Sequence, residues 1–162
     1  MEYEVKIIEL PVGNKTVDCS DIIEWAKMWD WGNVGEIIAE RLRSGGYSDW
    51  EYAFAAIIDG KYAGFCELVK KDGYGTDIDF THITPFIGAV YVDPQFRGRR
   101  IIGKLLDAAC DYARSLKFDA VYLISSHVGL YEKYGFEKFT RTITLSGTTE
   151  SVYKRGLHES LF

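Results

Sequence analysis

The stretch from Ile87 to Leu116 constrains the fold more than any other part of the chain, because it joins a buried strand directly to an amphipathic helix. Ile87–Val92 is an unbroken apolar run, which is typical of a strand covered on both faces. Asp93 and Pro94 end it, since proline lacks a backbone donor and restricts the residue before it. Apolar residues then recur at helical spacing from about residue 99 to residue 116. The sequence therefore predicts a strand, a turn and a helix in immediate succession.

The turn between this strand and this helix has the properties of a phosphate-binding loop. Free N–H groups at a helix N-terminus attract anions, and Gly98 lets a ligand approach the backbone closely. Residues 97–104 include four cations, although the whole chain carries a formal net charge of −5. An acidic chain with one basic turn favours a local phosphate site and argues against a nucleic acid partner.

The other sequence patterns predict a single mixed α/β domain over residues 1–162. An Asp59-Gly60 pair predicts a tight hairpin between two of the strands, and no repeat or linker divides the chain. The predicted strands are 3–10, 50–58, 61–70, 85–92, 120–124, 138–145 and 151–157. One or two helices are expected over 18–44, with an interruption at Gly32-Asn33, and a short helix is expected over 128–134.

The cysteine, histidine and hydropathy patterns predict the cellular compartment and argue against a metal site or a membrane helix. Cys19, Cys66 and Cys110 are odd in number, far apart and without metal-ligand spacing, which favours reduced thiols in the cytoplasm. The three histidines also lack such spacing, so no metal is expected. The first residues do not resemble a signal peptide, and no apolar run reaches the roughly 18 residues that a membrane helix needs.

The loop residues resemble the GNAT superfamily of acyl-CoA-dependent N-acyltransferases. The family pattern is Val-x-Pro-x-x-Arg-Gly-x-Gly-x-Gly/Ala, followed by a helix with Leu-Leu. Six positions match it without a gap: Val92, Pro94, Arg97, Gly98, Leu105 and Leu106. Arg100 and Ile102 stand at the two later glycine positions, with Gly103 one place on.

A second stretch, Leu130–Phe136, resembles the family motif Leu-Tyr-x-Lys-x-Gly-Phe. One helix and one strand separate it from the loop, as in the family. The asparagine that often precedes the motif is absent, and Ser125, Ser126 and His127 lie in its place.

The resemblance implies a mostly antiparallel sheet with a central, splayed parallel strand pair flanked by helices. It also implies acetyl-CoA as cofactor, with its phosphates on residues 97–104. The pantetheine arm would pair with residues 90–92 and 124–126 by strand addition. The residues expected to bind coenzyme A are Val90, Tyr91, Val92, Arg97, Gly98, Arg99, Arg100, Ile101, Ile102, Gly103, Lys104, Ser125, Ser126 and Tyr131.

For catalysis, the resemblance assigns Tyr131 as the acid that protonates the departing thiolate, with Ser126 or His127 as the alternatives. The sequence does not single out the base that accepts the proton of the amine, because strand 86–92 contains no acidic residue. Glu67 on the preceding strand is the nearest candidate by order. The loop residues Asp77, Asp79 and His82, or a water molecule, are the alternatives.

The sequence is thus interpreted as an N-acetyltransferase that acts on a primary amine of a small molecule or peptide in a ternary complex. A non-catalytic acyl-CoA sensor is the alternative, and the interpretation leaves a homodimer open. A Rossmann-type nucleotide domain is disfavoured by the glycine pattern. An apolar or aromatic-lined acceptor pocket is suggested by Trp29, Trp31, Tyr47, Trp50 and Phe80.

Overall fold

The structure is a computed structural model, and it describes residues 4–10 and 20–158. The strands are β1 Lys6–Leu10, β2 Tyr52–Ile58, β3 Lys61–Val69, β4 Phe86–Val92, β5 Ala120–Ser125, β6 Glu137–Ile143 and β7 Thr149–Gly156. The α-helices are α1 Ser20–Lys27, α2 Val34–Ser44 and α3 Ile101–Ser115, and short 3-10 helices cover Pro94–Phe96 and Tyr131–Tyr134. Cys19 and the first residues of the predicted strand 3–10 and helix 18–44 lie outside the described residues.

The seven strands form a sheet in the order β1-β2-β3-β4-β5-β7-β6. β4 and β5 pair in parallel, with Phe86 opposite Tyr122. The pairs β1–β2, β5–β7 and β6–β7 are antiparallel. The predicted fold class, a mostly antiparallel sheet with one parallel pair and flanking helices, is confirmed.

The chain forms two compact units. The first unit comprises the residues up to Glu67 together with Ala89–Leu105, and the second comprises Leu68–Gly88 and the residues from Leu106 onward. The single-domain interpretation stays a prediction. No helix among residues 4–10 and 20–158 is long and apolar enough to cross a membrane.

In the first unit, two glycines permit close packing around β3 and the helices. A Cβ on Gly35 would lie 2.1 Å from the carbonyl oxygen of Ala26, so α1 and α2 can cross closely only with glycine there. A Cβ on Gly64 would lie 2.9 Å from Cδ1 of Leu105 and 3.0 Å from the carbonyl oxygen of Tyr91. The first turn of α3 therefore rests directly on β3, and this contact fixes the loop that precedes the helix.

In the second unit, β5, β7 and the turn after β5 enclose a buried aromatic group. Tyr153 and Phe136 are almost fully buried, and the Tyr153 hydroxyl donates to the carbonyl oxygen of His127 at 2.7 Å. The predicted helix over 128–134 is shorter than expected and is a 3-10 turn that begins at Tyr131. Gly129 gives the reason, because its φ of +85° is incompatible with a right-handed helix at that position.

Candidate active site

The start of the phosphate loop is fixed by Asp93, the residue that follows β4. Its N–H donates to the carbonyl oxygen of Ala63 at 2.8 Å. Its carboxylate accepts from the N–H of Gln95 at 3.0 Å and from Nε1 of Trp25 at 3.2 Å. Phe96 is buried, so the short 3-10 turn is anchored on its apolar side as well. The chain therefore enters the loop with a defined direction.

The loop itself, residues 97–100, has two residues in the left-handed region. Gly98 has a φ of +83° and Arg100 a φ of +60°. Turns with left-handed residues can bring successive N–H groups together into a concave site for an anion. All four residues are exposed, and the side chain of Lys104 is exposed in the first turn of α3. The loop thus combines exposed backbone donors with nearby cations.

This conformation explains a departure that the sequence alone left unexplained. Arg100 stands where the family pattern has glycine, and it still adopts the left-handed φ that glycine accepts without strain. An L-residue in this region costs about 1–2 kcal/mol. The loop therefore keeps a glycine-like backbone shape although the glycine is absent.

Arg97 lies at the junction of the loop with the rest of the first unit. Its Nε donates to the carbonyl oxygen of Val92 at 3.0 Å, and its Nη2 donates to Oδ1 of Asp30 at 2.9 Å. The Tyr91 hydroxyl donates to the same Asp30 oxygen at 2.7 Å. These two bonds, that from Tyr91 first, lower the pKa of Asp30. Burial and the bond to Asp30 raise the pKa of Tyr91 to about 12, so this hydroxyl stays protonated.

β4 is distorted in the segment expected to pair with the pantetheine arm. Ala89, in the middle of the strand, has a φ of +49°. A left-handed residue within a strand is typical of a β-bulge, which locally disrupts the ladder of backbone hydrogen bonds. Val90 after it is half-buried, and Tyr91 and Val92 are buried. A disrupted ladder is a condition for strand addition by an extended, amide-rich ligand.

Glu67 is buried on β3 and is bound by one residue of α2 and one residue that follows this helix. One carboxylate oxygen accepts from Nη1 of Arg41, and the other accepts from the Tyr47 hydroxyl at 2.5 Å. Its side chain is only 5% exposed, and that of Arg41 is 33% exposed. Burial raises the pKa of Tyr47 well above its usual value, and the neighbouring Glu67 raises it further. The Glu67 carboxylate is therefore held in place by two hydrogen-bond donors.

The other predicted catalytic residues lie in the second unit, around the turn after β5. Tyr131 is 7% exposed, opens the 3-10 turn and lies 6.1 Å, between ring centroids, from both Phe136 and Tyr153. Gly135 ends the turn with a φ of +88°. Ser125 is buried and accepts from the His127 N–H at 3.0 Å, whereas Ser126 is exposed.

The alternative bases in the loop before β4 are engaged with their neighbours. Asp77 accepts from the hydroxyl of Thr142 and from the N–H of Ile143. Asp79 accepts from Thr81 and contacts Nδ1 of His82 at 2.7 Å, and these bonds, Thr81 first, lower its pKa to about 2. A carboxylate with so low a pKa is a poor proton acceptor near neutral pH. Within the described part of the chain, no cluster of His, Cys, Asp or Glu could hold a metal ion.

Two features of the site carry no signal in the sequence. Asp30, which binds Arg97 and Tyr91, reads only as a polar residue between two helices. Arg41, which binds Glu67, reads as an ordinary charged residue on the exposed side of α2. Both pairings join residues far apart in the chain, and neither spacing nor composition could have predicted them.

Comparison with known proteins identifies the family. The sequence pattern of the acetyltransferase (GNAT) family matches residues 20–136. No curated protein sequence matches the chain significantly. The family uses acetyl-CoA.

Three solved structures illustrate the likeness of the fold. An aminoglycoside 6'-N-acetyltransferase complexed with coenzyme A superimposes with a TM-score of 0.65 at 14% identity, covering 97% of this chain and 99% of that one. A spermidine N-acetyltransferase from Vibrio cholerae gives 0.64 at 15% identity, covering 94% of each chain. A GNAT acetyltransferase from Staphylococcus aureus Mu50 gives 0.60 at 20% identity, covering 96% and 100%. Together with the family match over most of its length, the phosphate loop before α3 and the Leu130–Phe136 motif, this places the chain in the acetyltransferase (GNAT) family.

Proposed function

We propose that the protein is an N-acetyltransferase that transfers the acetyl group of acetyl-CoA to a primary amine of a small molecule or peptide. The observation that carries the proposal is the loop of residues 97–100, with left-handed Gly98 and Arg100 in front of α3. Its exposed backbone donors and cations fit the phosphates of a coenzyme A donor. Membership of the family makes an acyltransferase the expected activity.

The reaction sets two tasks for side chains. The amine nitrogen forms a bond to the acyl carbon and loses a proton, while the carbon–sulfur bond breaks and the thiolate gains a proton. A thiol has a pKa near 8.5, so a proton donor assists its departure. We assign that role to Tyr131, supported by its place in the family motif, with Ser126 or His127 as the alternatives.

The proton acceptor for the amine is the second assignment. Glu67 is the proposed base, and its location on the strand before β4 supports it. Its contacts with Arg41 and Tyr47 weaken this support, since both carboxylate oxygens already accept hydrogen bonds from the protein. Proton transfer from the amine to a water molecule is therefore the alternative, and the experiment on Glu67 must distinguish it from proton transfer to Glu67.

The turn between α1 and α2 is the proposed location of part of the acceptor site. Trp31 on this turn is 41% exposed and stacks on Tyr91 at 6.3 Å between ring centroids. Nε1 of the neighbouring Trp29 is buried and has no hydrogen-bond partner among the described residues. The partly exposed Trp31 ring supports an acceptor with an apolar group, whereas the buried Trp29 donor is out of reach of a ligand.

Release of free thiol from acetyl-CoA, measured with a panel of amines, tests the proposed function. Spermidine and an aminoglycoside are the first probes, because enzymes named for these substrates share the fold. A peptide with a free N-terminal amine extends the panel to the other acceptor class. Thiol release that depends on one of the amines supports the proposal.

A non-catalytic acyl-CoA sensor is the second candidate function, and the contacts of Glu67 favour it. Glu67, the proposed base on the strand before β4, is held by Arg41 and Tyr47, and β4 contains no acid. Tight acetyl-CoA binding without thiol release in the presence of any amine of the panel would favour the sensor. Absence of acetyl-CoA binding would contradict both candidates.

A further inference from the structure

The side chain of Arg97 is held by three groups of the protein itself. Its guanidinium donates to the Val92 carbonyl oxygen at 3.0 Å and to Asp30 at 2.9 Å, and it lies 5.7 Å from the centre of the Tyr91 ring. The Tyr91 hydroxyl orients the same Asp30 carboxylate at 2.7 Å, and the Asp30 N–H donates to that hydroxyl at 3.3 Å. We call these contacts of Asp30, Tyr91 and Arg97 the Asp30 clamp.

Aromatic stacking extends the clamp to the whole turn between α1 and α2. The Trp29 ring stacks on Tyr91, with centroids 4.3 Å apart and planes 14° apart, and Trp31 lies nearly parallel to the same ring. Trp25 on α1 donates to Asp93 at the start of the loop. The turn between α1 and α2, the end of β4 and Asp93, which leads toward the phosphate loop, are therefore bound to one another.

The charges around Arg97 make its guanidinium a poor phosphate ligand. The Asp30 carboxylate pairs with it directly, so much of its positive charge is neutralised. An anion that approached the same guanidinium would also approach the negative charge of Asp30. Arg99, Arg100 and Lys104 are exposed cations that follow in the same segment.

We propose that Asp30 is a positioning residue for the cofactor site, which acts through Arg97 to fix the phosphate loop in its binding conformation. On this proposal the Arg97 side chain positions the loop. The phosphates contact the backbone of residues 98–102 and the side chains of Arg99, Arg100 and Lys104. The inference rests on the proposed function, because it assumes that coenzyme A binds at this loop.

The two roles of Arg97 predict opposite effects of Asp30→Asn on coenzyme A affinity. If Asp30 positions the loop, the variant loosens it and the dissociation constant rises by about two- to fivefold, the loss of one half-exposed ion pair. If the Arg97 guanidinium binds phosphate directly, the variant releases that guanidinium and removes a negative charge near the ligand. Affinity would then stay the same or increase.

Calorimetric titration of the full chain with coenzyme A measures this difference, and Asp111→Asn is the matched control. Asp111 forms an exposed ion pair with Arg114 at 2.7 Å, so the control removes the same charge from the same kind of pair. Its affinity should match the parent. Tyr91→Phe keeps the stacked ring but removes the hydroxyl that orients Asp30, and it should weaken binding in the same direction as Asp30→Asn.

Two further readouts separate positioning from general destabilisation. The ion pair is about half exposed, so the melting temperature of Asp30→Asn should fall by only a few degrees. With acetyl-CoA as the varied substrate, KM should rise by the same factor as the dissociation constant while kcat stays near that of the parent. An equal loss in kcat, or a variant that binds coenzyme A as tightly as the parent, overturns the clamp and leaves the proposed function standing. A parent chain that does not bind coenzyme A overturns both.

Discussion

Replacing Arg100 by glycine should make the protein more stable and, at the same time, weaken its binding of coenzyme A. Strained residues at functional sites commonly exchange stability for function. Here the backbone and the side chain of one residue have opposite effects. The φ of +60° strains an arginine but not a glycine, whereas only the arginine carries a charge toward the phosphate site.

The size of the stability change follows from the backbone alone. A left-handed φ costs an L-residue about 1–2 kcal/mol, and glycine loses about 0.5–1 kcal/mol more chain entropy on folding than alanine does. The difference is a gain of about 0–1.5 kcal/mol for Arg100→Gly, with a midpoint of roughly 0.75 kcal/mol. For a chain of 162 residues the midpoint raises the melting temperature by about 1.5–3 °C.

The expected loss in affinity depends on which phosphate Arg100 meets. A charge-assisted contact contributes about 1.5–3 kcal/mol, so the dissociation constant of coenzyme A should rise about tenfold or more. If the partner is the 3′-phosphate, dephospho-CoA should lose nothing. An equal loss for both ligands would identify the pyrophosphate as the partner.

Arg100→Ala separates the two effects, because alanine removes the guanidinium and keeps the strain. Both variants should lose affinity for coenzyme A equally in calorimetric titrations. Only the glycine variant should gain stability in thermal or urea unfolding. A glycine variant no more stable than the alanine variant would refute the reasoning from backbone strain, and unchanged affinity in both would mean that Arg100 contacts solvent only.

Three further predictions test the proposed catalytic residues and the clamp. Tyr131→Phe should lower kcat at least about tenfold with little change in coenzyme A affinity. The loss of kcat should be smaller with an acyl donor whose thiol is more acidic. A parent-like kcat in thiol-release assays would show that Tyr131 is structural. Glu67→Gln should lower the free energy of unfolding by roughly 1–3 kcal/mol in urea titrations, because glutamine cannot pair with the charge of Arg41. A large loss of kcat without loss of stability would instead identify Glu67 as the base. Tyr91 has a pKa of about 12 in the folded protein, above its usual value of 10, so its contribution to stability is complete below pH 10 and is lost as the pH rises toward 12. Tyr91→Phe should therefore flatten the decline in unfolding free energy across that range, and an equally steep decline in the variant would contradict the assignment.

Local chemistry allowed the fold to be predicted from the sequence. Asp93-Pro94 ends β4, Asp59-Gly60 joins β2 to β3, and the glycine after α2 ends that helix with a φ of +67°. Each signal acts between neighbouring residues, where the conformational preference of one residue type decides the outcome. The short helix before Phe136 was predicted too long because nothing nearby marked Gly129 as left-handed.

The contacts that hold the candidate site together could not be predicted in the same way. The pairs Asp30–Arg97 and Arg41–Glu67 join residues 67 and 26 positions apart. A charged residue can form ion pairs of similar free energy with many oppositely charged residues, so its position in the sequence does not select one partner. Only the packing of α1 and α2 in the first unit brings these partners within hydrogen-bond distance.

The shape of the phosphate loop is set by its surroundings as much as by its own residues. Arg100 lacks the conformational freedom of the glycine that the family pattern has at this position, yet its backbone is left-handed. The strain of about 1–2 kcal/mol must be offset by contacts that fix both ends of the loop. On one side these are the bonds of Asp93 and the buried Phe96, and on the other the close approach of Leu105 to Gly64. Because these anchors hold the loop, a residue that supplies a charge can occupy a glycine position without loss of the backbone shape that would face the phosphates.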